Sequence, residues 1–499
     1  MVQHVESSTL AKFPYIFHDP ATVPRSLDPF TITTTNGFMP LAHPVTELPE
    51  VFKPLEELLE RMPVLKEDGT PGLLAEYKLG DEVANFPDLT DEIDKVVAKD
   101  GKPDLWVITA LMRDYAFLAS AYILEPCWKN WNVNPDQSYG LGRDRLPHSV
   151  AGPMYRCAEL LNIPPFLSYA ASYALYNYTL KDKAKGLEYD NLRLVRAFER
   201  GLDSKSSEAG FILTHIDMVK LTGALIDGAV RALDSAEVTK DRKEVNEALK
   251  DILAVMEKIE ANMEEMWGKS KPNDYLSFRV FIFGVTSQSM FPNGVIYEGI
   301  EDNKPLHFRG ESGANDSIIP LLDHLCQIPM PMNPLTKVLH EFRAYRPQPH
   351  RDFLTHVRET AEKIQTREFF CADPQTAYLY LRVLNHVRSF RWRHWLFTRE
   401  YIIRKTSHPT ATGGSPIVTW LPNQLFFVMD LMIDTYDKYL APHMNQEGDK
   451  KLDETFEAQI KATMDVVHEQ KVKLNKEVEK WCKERGTNDP KPGVSACPY

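Results

Sequence analysis

Between Val387 and Ser415 the chain reads VRSFRWRHWLFTREYIIRKTSHPTATGGS, and one stripe of this segment limits what can be built around it. Leu384, Val387, His394, Phe397 and Tyr401 recur at intervals of three, four or seven, the repeat of a single helical face. Arg388, Arg391, Arg393, Arg399 and Arg404 crowd the other faces. A helix of this kind needs an apolar surface opposite its stripe, and it carries one histidine into that surface. A Thr-Gly-Gly-Ser turn follows at Thr412 to Ser415. The histidine is either a hydrogen-bonded core residue or an axial ligand to haem iron, with arginines at hand for the propionates. The arginines equally suit a solvated flank, and periodicity leaves both readings open.

The chain has 499 residues, enough for two domains and a large buried core. A hydrophobic content of 43% beside 26% charged residues is that of an ordinary soluble globular protein. The net charge of -12, without any basic block, argues against a nucleic-acid partner. Cys127, Cys157, Cys326, Cys371, Cys482 and Cys497 are scattered with no CxxC pair. That excludes a zinc framework, a covalent haem-attachment motif and a dense disulfide scaffold, and it fits a reducing compartment. Met1 to Leu10 is polar and carries Glu6, so no targeting signal is expected there. The most apolar run, Leu105 to Leu124, is broken by Arg113 and Asp114 and reads as a buried helix, not a membrane span. The expectation is a cytoplasmic protein with no membrane contact.

Residues 1 to about 50 are rich in proline and threonine and read as an extended arm on the body. Helical patterns cover Val51 to Met62 and Leu105 to Leu124, and Pro164-Pro165 is expected to open a helix running through Leu175 and Tyr178. Polar runs at Lys181 to Lys185 and Asp203 to Ser207 bracket an expected inter-domain connection. Ser207 to Leu233, apolar nearly all round, predicts one interior helix. Glu244 to Trp267 and Leu452 to Trp481 are amphipathic, the second a long surface helix. The pattern predicts a mostly all-α protein. It divides into a smaller, mainly helical unit over residues 1–200, a large helical bundle over 201–485 and a loose tail over 486–499.

Several blocks, in order along the chain, resemble the indoleamine 2,3-dioxygenase family. Arg391-Trp392-Arg393-His394 followed by Tyr401-Ile402 is similar to the helix that carries the family's proximal haem histidine. Leu146-Pro147, then Ile163 to Tyr169, resembles the distal tyrosine region, and Gly210-Phe211 the start of the distal helix. Ser277-Phe278-Arg279 is similar to the segment with the substrate-carboxylate arginine. Val295 to Gly299, Phe308 to Gly313 and Pro349 to Leu354 complete the set. The likeness runs from about Leu146 to about Leu421, and the first hundred residues and the tail match weakly.

The resemblance implies a haem domain roofed by the small unit, and a role for particular residues. His394 would be the iron ligand of a haem b, and Asp323 with Arg391 an acid–arginine pair behind it. Gly310, Ser312 and Gly313 would border the haem and substrate. Arg279 would hold the substrate carboxylate, as a guanidinium offers two planar donors that lysine cannot. On the residues alone, an ion pair with Asp274 or Glu298 explains Arg279 equally well. Tyr169, Phe211, Leu213 and Ile282 would wall the indole pocket, and Thr412, Gly413 and Gly414 would form a mobile loop above it. Without the family, each wall residue is simply core.

Two positions depart from the mammalian pattern. His215 stands where those members carry serine, and Asp274-Tyr275 replaces a phenylalanine-rich stretch. His215 would bond the indole N–H, contact O2 or bind iron, or else serve as a core histidine bonded to a backbone carbonyl. The function so implied is insertion of O2 into the indole ring of L-tryptophan to give N-formylkynurenine, the opening step of the kynurenine route to NAD. An external electron donor would keep the iron ferrous. The alternatives are an oxygenase for another indole or arylamine in specialised metabolism, and a haem sensor without turnover.

Overall fold

The computed structural model describes residues 16–134, 138–200, 203–444 and 454–486. Met1 to Leu10 and the expected tail beyond Gly486 lie outside the described residues. Helices make up 62% of the structure, and the few strands are short, so the protein is mostly all-α. The principal helices are α1 (Leu105–Val133), α2 (His148–Leu161), α3 (Ser207–Val219), α4 (Thr222–Asp234), α5 (Arg242–Glu264) and α6 (Pro272–Arg279). They are followed by α7 (Ile318–Leu325), α8 (Gln348–Ile364), α9 (Pro374–Phe397), α10 (Trp420–Thr435) and α11 (Glu454–Arg485).

Helix α5 is the shared support of the site. Its apolar side, including Leu249, Ile252, Met256 and Ile259, is buried, and α3, α4 and α9 all pack against it. Helix α9 starts at Asp373, whose carboxylate accepts the Thr376 N–H at 2.9 Å while Pro374 fills the first turn. It then lies between α5 and α10, with α11 closing the outside.

Helix α1 is long and apolar enough to cross a membrane, as is the span Ser207–Thr239, yet both are largely buried inside the protein. The Arg113 and Asp114 that interrupt α1 are fully buried and paired at 2.8 Å. Arg196 adds two further bonds to Asp114, at 3.0 and 2.8 Å, and Arg113 donates to the carbonyls of Val45 and Tyr176 at 3.0 Å. Charges in a core are tolerated when paired and hydrogen-bonded in this way, although Arg113 Nη2 itself has no partner.

Two expected helices take other forms. The stretch after Pro164-Pro165 makes one wide turn, Tyr169–Tyr173, and then a strand, Tyr178–Leu180, antiparallel to Leu192–Leu194. Asn177 ends the turn: its amide donates to the carbonyls of Tyr173 and Arg196 at 3.1 and 2.9 Å and accepts the Arg196 N–H at 2.7 Å. The side chain thereby takes bonds that a further helical turn would supply. The polar run Lys181 to Lys185 lies in the connection of this hairpin.

The predicted Ser207 to Leu233 helix is broken into α3 and α4 by the N-terminal arm. Phe30, Ile32, Phe38 and Met39 of the arm are buried, and Phe38 N–H donates to Thr222 Oγ1 at 2.9 Å. At Gly223 a Cβ would stand 2.0 Å from the Thr35 carbonyl oxygen, so the arm touches helix backbone directly. The arm is therefore part of the core and not merely laid upon it.

His350 on α8 holds the other side of the arm, meeting the edges of Phe30 and Phe38 at 5.4 and 5.0 Å between ring centres. Burial, and secondarily Arg346, lowers its pKa from 6.5 to about 3. The folded value lies below the unfolded one, so the stability it contributes is complete above about pH 6.5 and is lost as pH falls towards 3. Thermal unfolding between pH 7.5 and 4 should show a falling Tm, and His350→Leu should flatten that slope whatever its Tm at neutral pH. An unchanged slope would remove His350 as a contributor.

Candidate active site

A cavity of about 1130 Å³, mouth included, opens between α3, α6, α9 and the loops around residues 311–316 and 411–417. Phe211, His215 and Met218 reach it from α3, at spacings of four and three that place them on one face. His394, Phe397 and Tyr401 reach it from α9 and the wide turn Thr398–Ile403, as their periodicity predicts. Met263 and Met266 supply adaptable apolar surface.

The two imidazoles face the same space. His394 has no side-chain hydrogen-bond partner among the described residues, and burial, then His215, then Arg391, lowers its pKa to about 4. It is thus neutral at physiological pH with nitrogen lone-pair capacity left over. His215 bonds through Nδ1 to the Phe211 carbonyl at 2.8 Å, which makes Nδ1 the protonated nitrogen and Nε2 the acceptor. That Nε2 stands 3.6 Å from where a Cβ on Gly313 would be, at the cavity's edge. Burial lowers the His215 pKa as well.

Aromatic rings form one wall. Phe211 meets Tyr275 at 5.4 Å, Tyr275 meets Tyr401 at 5.6 Å, and Trp267 backs Phe397 at 4.5 Å between ring centres. Behind α9, Arg391 binds Asp323 through both carboxylate oxygens, at 3.0 and 2.8 Å, and both side chains are buried. Burial pushes the Asp323 pKa up to about 6 against the pull of Arg391, so the acid is ionised at neutral pH.

Arg279 is 0% exposed, and no acidic side chain pairs with it among the described residues. It donates to the Thr410 carbonyl at 3.0 Å and to Tyr139 Oη at 3.3 Å, lies 4.5 Å over the Phe283 ring and leaves Nε without a partner. The two acids that would explain it as an ion pair are engaged elsewhere: Asp274 accepts from Ser207 Oγ at 2.6 Å and Glu298 pairs with Arg145 at 3.5 Å. A buried guanidinium without a counter-charge is costly unless an anion arrives.

These features meet their counterpart in known proteins. The sequence profile of indoleamine 2,3-dioxygenase matches residues 26–455. The chain belongs to the indoleamine 2,3-dioxygenase family. Among its relatives is indoleamine 2,3-dioxygenase 1 of Rattus norvegicus, 27% identical over 80% of this chain and 93% of that protein. The indoleamine 2,3-dioxygenase of Saccharomyces cerevisiae is 26% identical over 79% of this chain and 83% of its own length. The 6-hydroxytryptophan 2,3-dioxygenase fscD of Fusarium equiseti is 25% identical, covering 78% and 89% respectively. The protein is accordingly an oxidoreductase of the dioxygenase type, in a family that acts on tryptophan and other indoles.

Within this dioxygenase the expected residues divide by position. His394, His215, Phe211, Ser312, Gly313 and Thr412 line the cavity. Leu213 does not: it is two residues from both Phe211 and His215, on the opposite side of α3, and is fully buried in the core. Ile282 also sits in the core, its carbonyl 2.6 Å from where a Gly310 Cβ would be. Tyr169 lies behind His215 at 5.6 Å, with its hydroxyl 3.5 Å from Asp316. The arginines here are already paired with acids: Arg393 of α9 with Glu260 and Glu264, and, beyond its end, Arg399 with Glu477 and Arg404 with Glu400. Two lining acids, Glu311 and Asp316, escaped sequence reasoning, although a carboxylate inside Arg-Gly-Glu-Ser-Gly was a visible signal.

The Thr412 loop is docked and buried in this structure. Thr412 Oγ1 donates to the Glu311 carbonyl at 2.7 Å, and Gly284 N–H donates to the Thr412 carbonyl at 2.9 Å. Gly413 lies against Phe342, where a Cβ would come within 2.4 Å. Gly310 packs between two backbones, its missing Cβ 2.2 Å from Gly284 N and 2.4 Å from the Thr412 carbonyl oxygen. Gly310→Ala must therefore push the loop away, at about 1–3 kcal/mol. Limited proteolysis should cut the variant between residues 408 and 416 faster than wild type, with a lower Tm. Equal protection would show that the loop does not depend on this contact.

Proposed function

We propose that this chain is a haem-b-dependent dioxygenase that converts L-tryptophan to N-formylkynurenine, using O2 and an external electron donor. The observation that carries the reading is the unpartnered, neutral imidazole of His394 facing a large aromatic cavity across from His215. Among the described residues no group of three or more His, Cys, Asp or Glu side chains is placed to hold a bare metal ion. A single free imidazole over a roomy apolar space suits an iron whose other ligands come with a porphyrin. His394 would hold it, with the Asp323–Arg391 pair fixing α9 behind. Bound there, ferrous haem would supply the activation of dioxygen.

The chain's own residues bind and orient the substrate. The rings of Phe211, Tyr275 and Tyr401 offer faces and edges for an indole. His215 Nε2, an acceptor, suits the indole N–H, and the docked Thr412 loop excludes water. Arg279 would supply the positive charge for the substrate carboxylate; it is buried outside the lining, one turn of α6 beyond the lining residue Tyr275, so that ring must shift for the two to meet. In this reading the residues before about 200 form a small unit over the distal side, and those after it the haem-binding bundle. A ring-hydroxylated indole is the second reading. It is favoured by the relative named a 6-hydroxytryptophan 2,3-dioxygenase and by the hydroxyls of Ser312 and Thr398 in the lining.

Purified protein reconstituted with haem should show a haem absorption spectrum that L-tryptophan perturbs, and should form N-formylkynurenine under reducing conditions. His394→Ala should lose the haem while keeping its helical circular dichroism. Arg279→Ala should raise KM for tryptophan about ten-fold or more, as loss of a buried charged pair implies. Full haem retention by His394→Ala would refute the ligand assignment. Faster turnover of 6-hydroxytryptophan than tryptophan would transfer the reading to the hydroxylated substrate.

A further inference from the structure

Glu311 is the ionisable group in the cavity that the proposed reaction leaves idle. It is 2% exposed, lines the cavity and finds no hydrogen bond or ion pair for its carboxyl among the described residues. The other lining acid is already used: Asp316 accepts the Ile318 N–H at 2.6 Å and faces the Tyr169 hydroxyl at 3.5 Å. No lysine or arginine lines the cavity among the described residues, so nothing resident there would answer a charge on Glu311. An unanswered carboxylate in such a place is costly, so the group keeps its proton until a cationic ligand pairs with it.

The neighbours say which cation. Tyr275 lines the same cavity; burial above all raises its pKa, and of the nearby charges Arg279 lowers it and Glu311 raises it. Arg279 follows Tyr275 by one turn of α6, just outside the lining, whereas Glu311 lies in it. The backbone also holds Glu311 in place, through Thr412 Oγ1 on its carbonyl and the close crossing of Gly310 with Gly284. The pair of receptors matches a zwitterion, with one end for carboxylate and one for ammonium.

We propose that the carboxylate of Glu311 receives the protonated amine of the substrate, which makes the enzyme selective for indoles that carry an ammonium group beside the ring. The proposal rests on the indole-dioxygenase reading above and refines it by naming Glu311 as a residue that selects for the amino end of the substrate. Burial raises the Glu311 pKa to about 8, so the empty site holds a proton at neutral pH and releases it as the ammonium binds.

The test uses haem-loaded enzyme and follows equilibrium binding by the change in haem absorption, alongside turnover. L-Tryptophan and tryptamine carry the ammonium, and indole-3-propionate lacks it. Wild type should bind tryptophan far more tightly than indole-3-propionate. Glu311→Gln, nearly isosteric, should weaken tryptophan and tryptamine about ten- to a hundred-fold, raise KM more than it lowers kcat, and leave indole-3-propionate unchanged or tighter. Tryptophan binding to wild type should strengthen from pH 6 to 8, and this trend should vanish in Glu311→Gln. Glu311→Asp serves as a second variant, with intermediate affinity expected. Equal loss for all three ligands, or none for tryptophan, overturns the proposal. A wild type whose spectrum ignores every indole overturns the parent reading instead, so the two failures are told apart.

Discussion

The site depends on how α9 is rotated about its axis, and carboxylates from three other helices set that rotation. Glu260 on α5 accepts from His386 at 2.7 Å, Ser389 at 2.9 Å and Arg393 at 2.7 Å, spanning two turns of α9. Asp323 on α7 takes Arg391, and Glu477 on α11 takes Trp395 Nε1 and Arg399 at 2.7 and 2.8 Å. A helix held from three sides has one direction left for His394, and that is the cavity. Buried ion pairs of this kind add little net stability, yet breaking one costs about 3–5 kcal/mol. Their value here is in orientation: a turn of one residue about the axis would replace the imidazole with an indole or a guanidinium.

The sequence carried this arrangement only in part. The stripe through His394, Phe397 and Tyr401 was legible because helical periodicity is local, and the structure brings all three to one cavity. The arginines between them were legible as charges but not as partners. Arg391 meets an acid 68 positions away and Arg393 one 129 positions away, distances over which pattern says nothing. The interior helix expected from Ser207 to Leu233 fails for the same reason. Its break at Thr222 is made by residues 34–38, which only tertiary contact brings there. Between Pro164 and Tyr178 the missed signal was local, since Asn177 offered a side-chain route out of the helix. The family likeness named residues without assigning faces. It placed Leu213 on the wall, whereas the period from Phe211 to His215 puts Leu213 on the far side.

An apolar cavity that must choose among indoles has little to choose with. Ring contacts are worth about 0.5–1.5 kcal/mol each and vary slowly with substituents. Discrimination therefore falls to the few charged groups, whose cost when unanswered is larger. This structure leaves Arg279 without a counter-acid and Glu311 without a counter-cation among the described residues, although both are buried. Placing the two next to each other would have satisfied both. Kept unpaired, both groups remain available to an incoming molecule that carries both charges.

The loop from Thr410 to Ser415 links these two receptors physically. Its Thr410 carbonyl accepts from Arg279, and its Thr412 hydroxyl donates to the backbone of Glu311. Gln288 holds the loop from below, donating to the Ala411 carbonyl at 2.7 Å and accepting from Thr410 Oγ1 at 2.8 Å. Arg309 holds its far end through the Gly413 carbonyl at 2.9 Å. Arg485 of α11 donates to the carbonyls of Ile403, Thr406 and His408, which fixes the approach to the loop. The anion receptor, the cation receptor and the cover over the cavity are thus one hydrogen-bonded assembly. Displacing the loop would take a partner from Arg279 and a brace from Glu311 together, so closure and recognition of the amino-acid end cannot be varied independently.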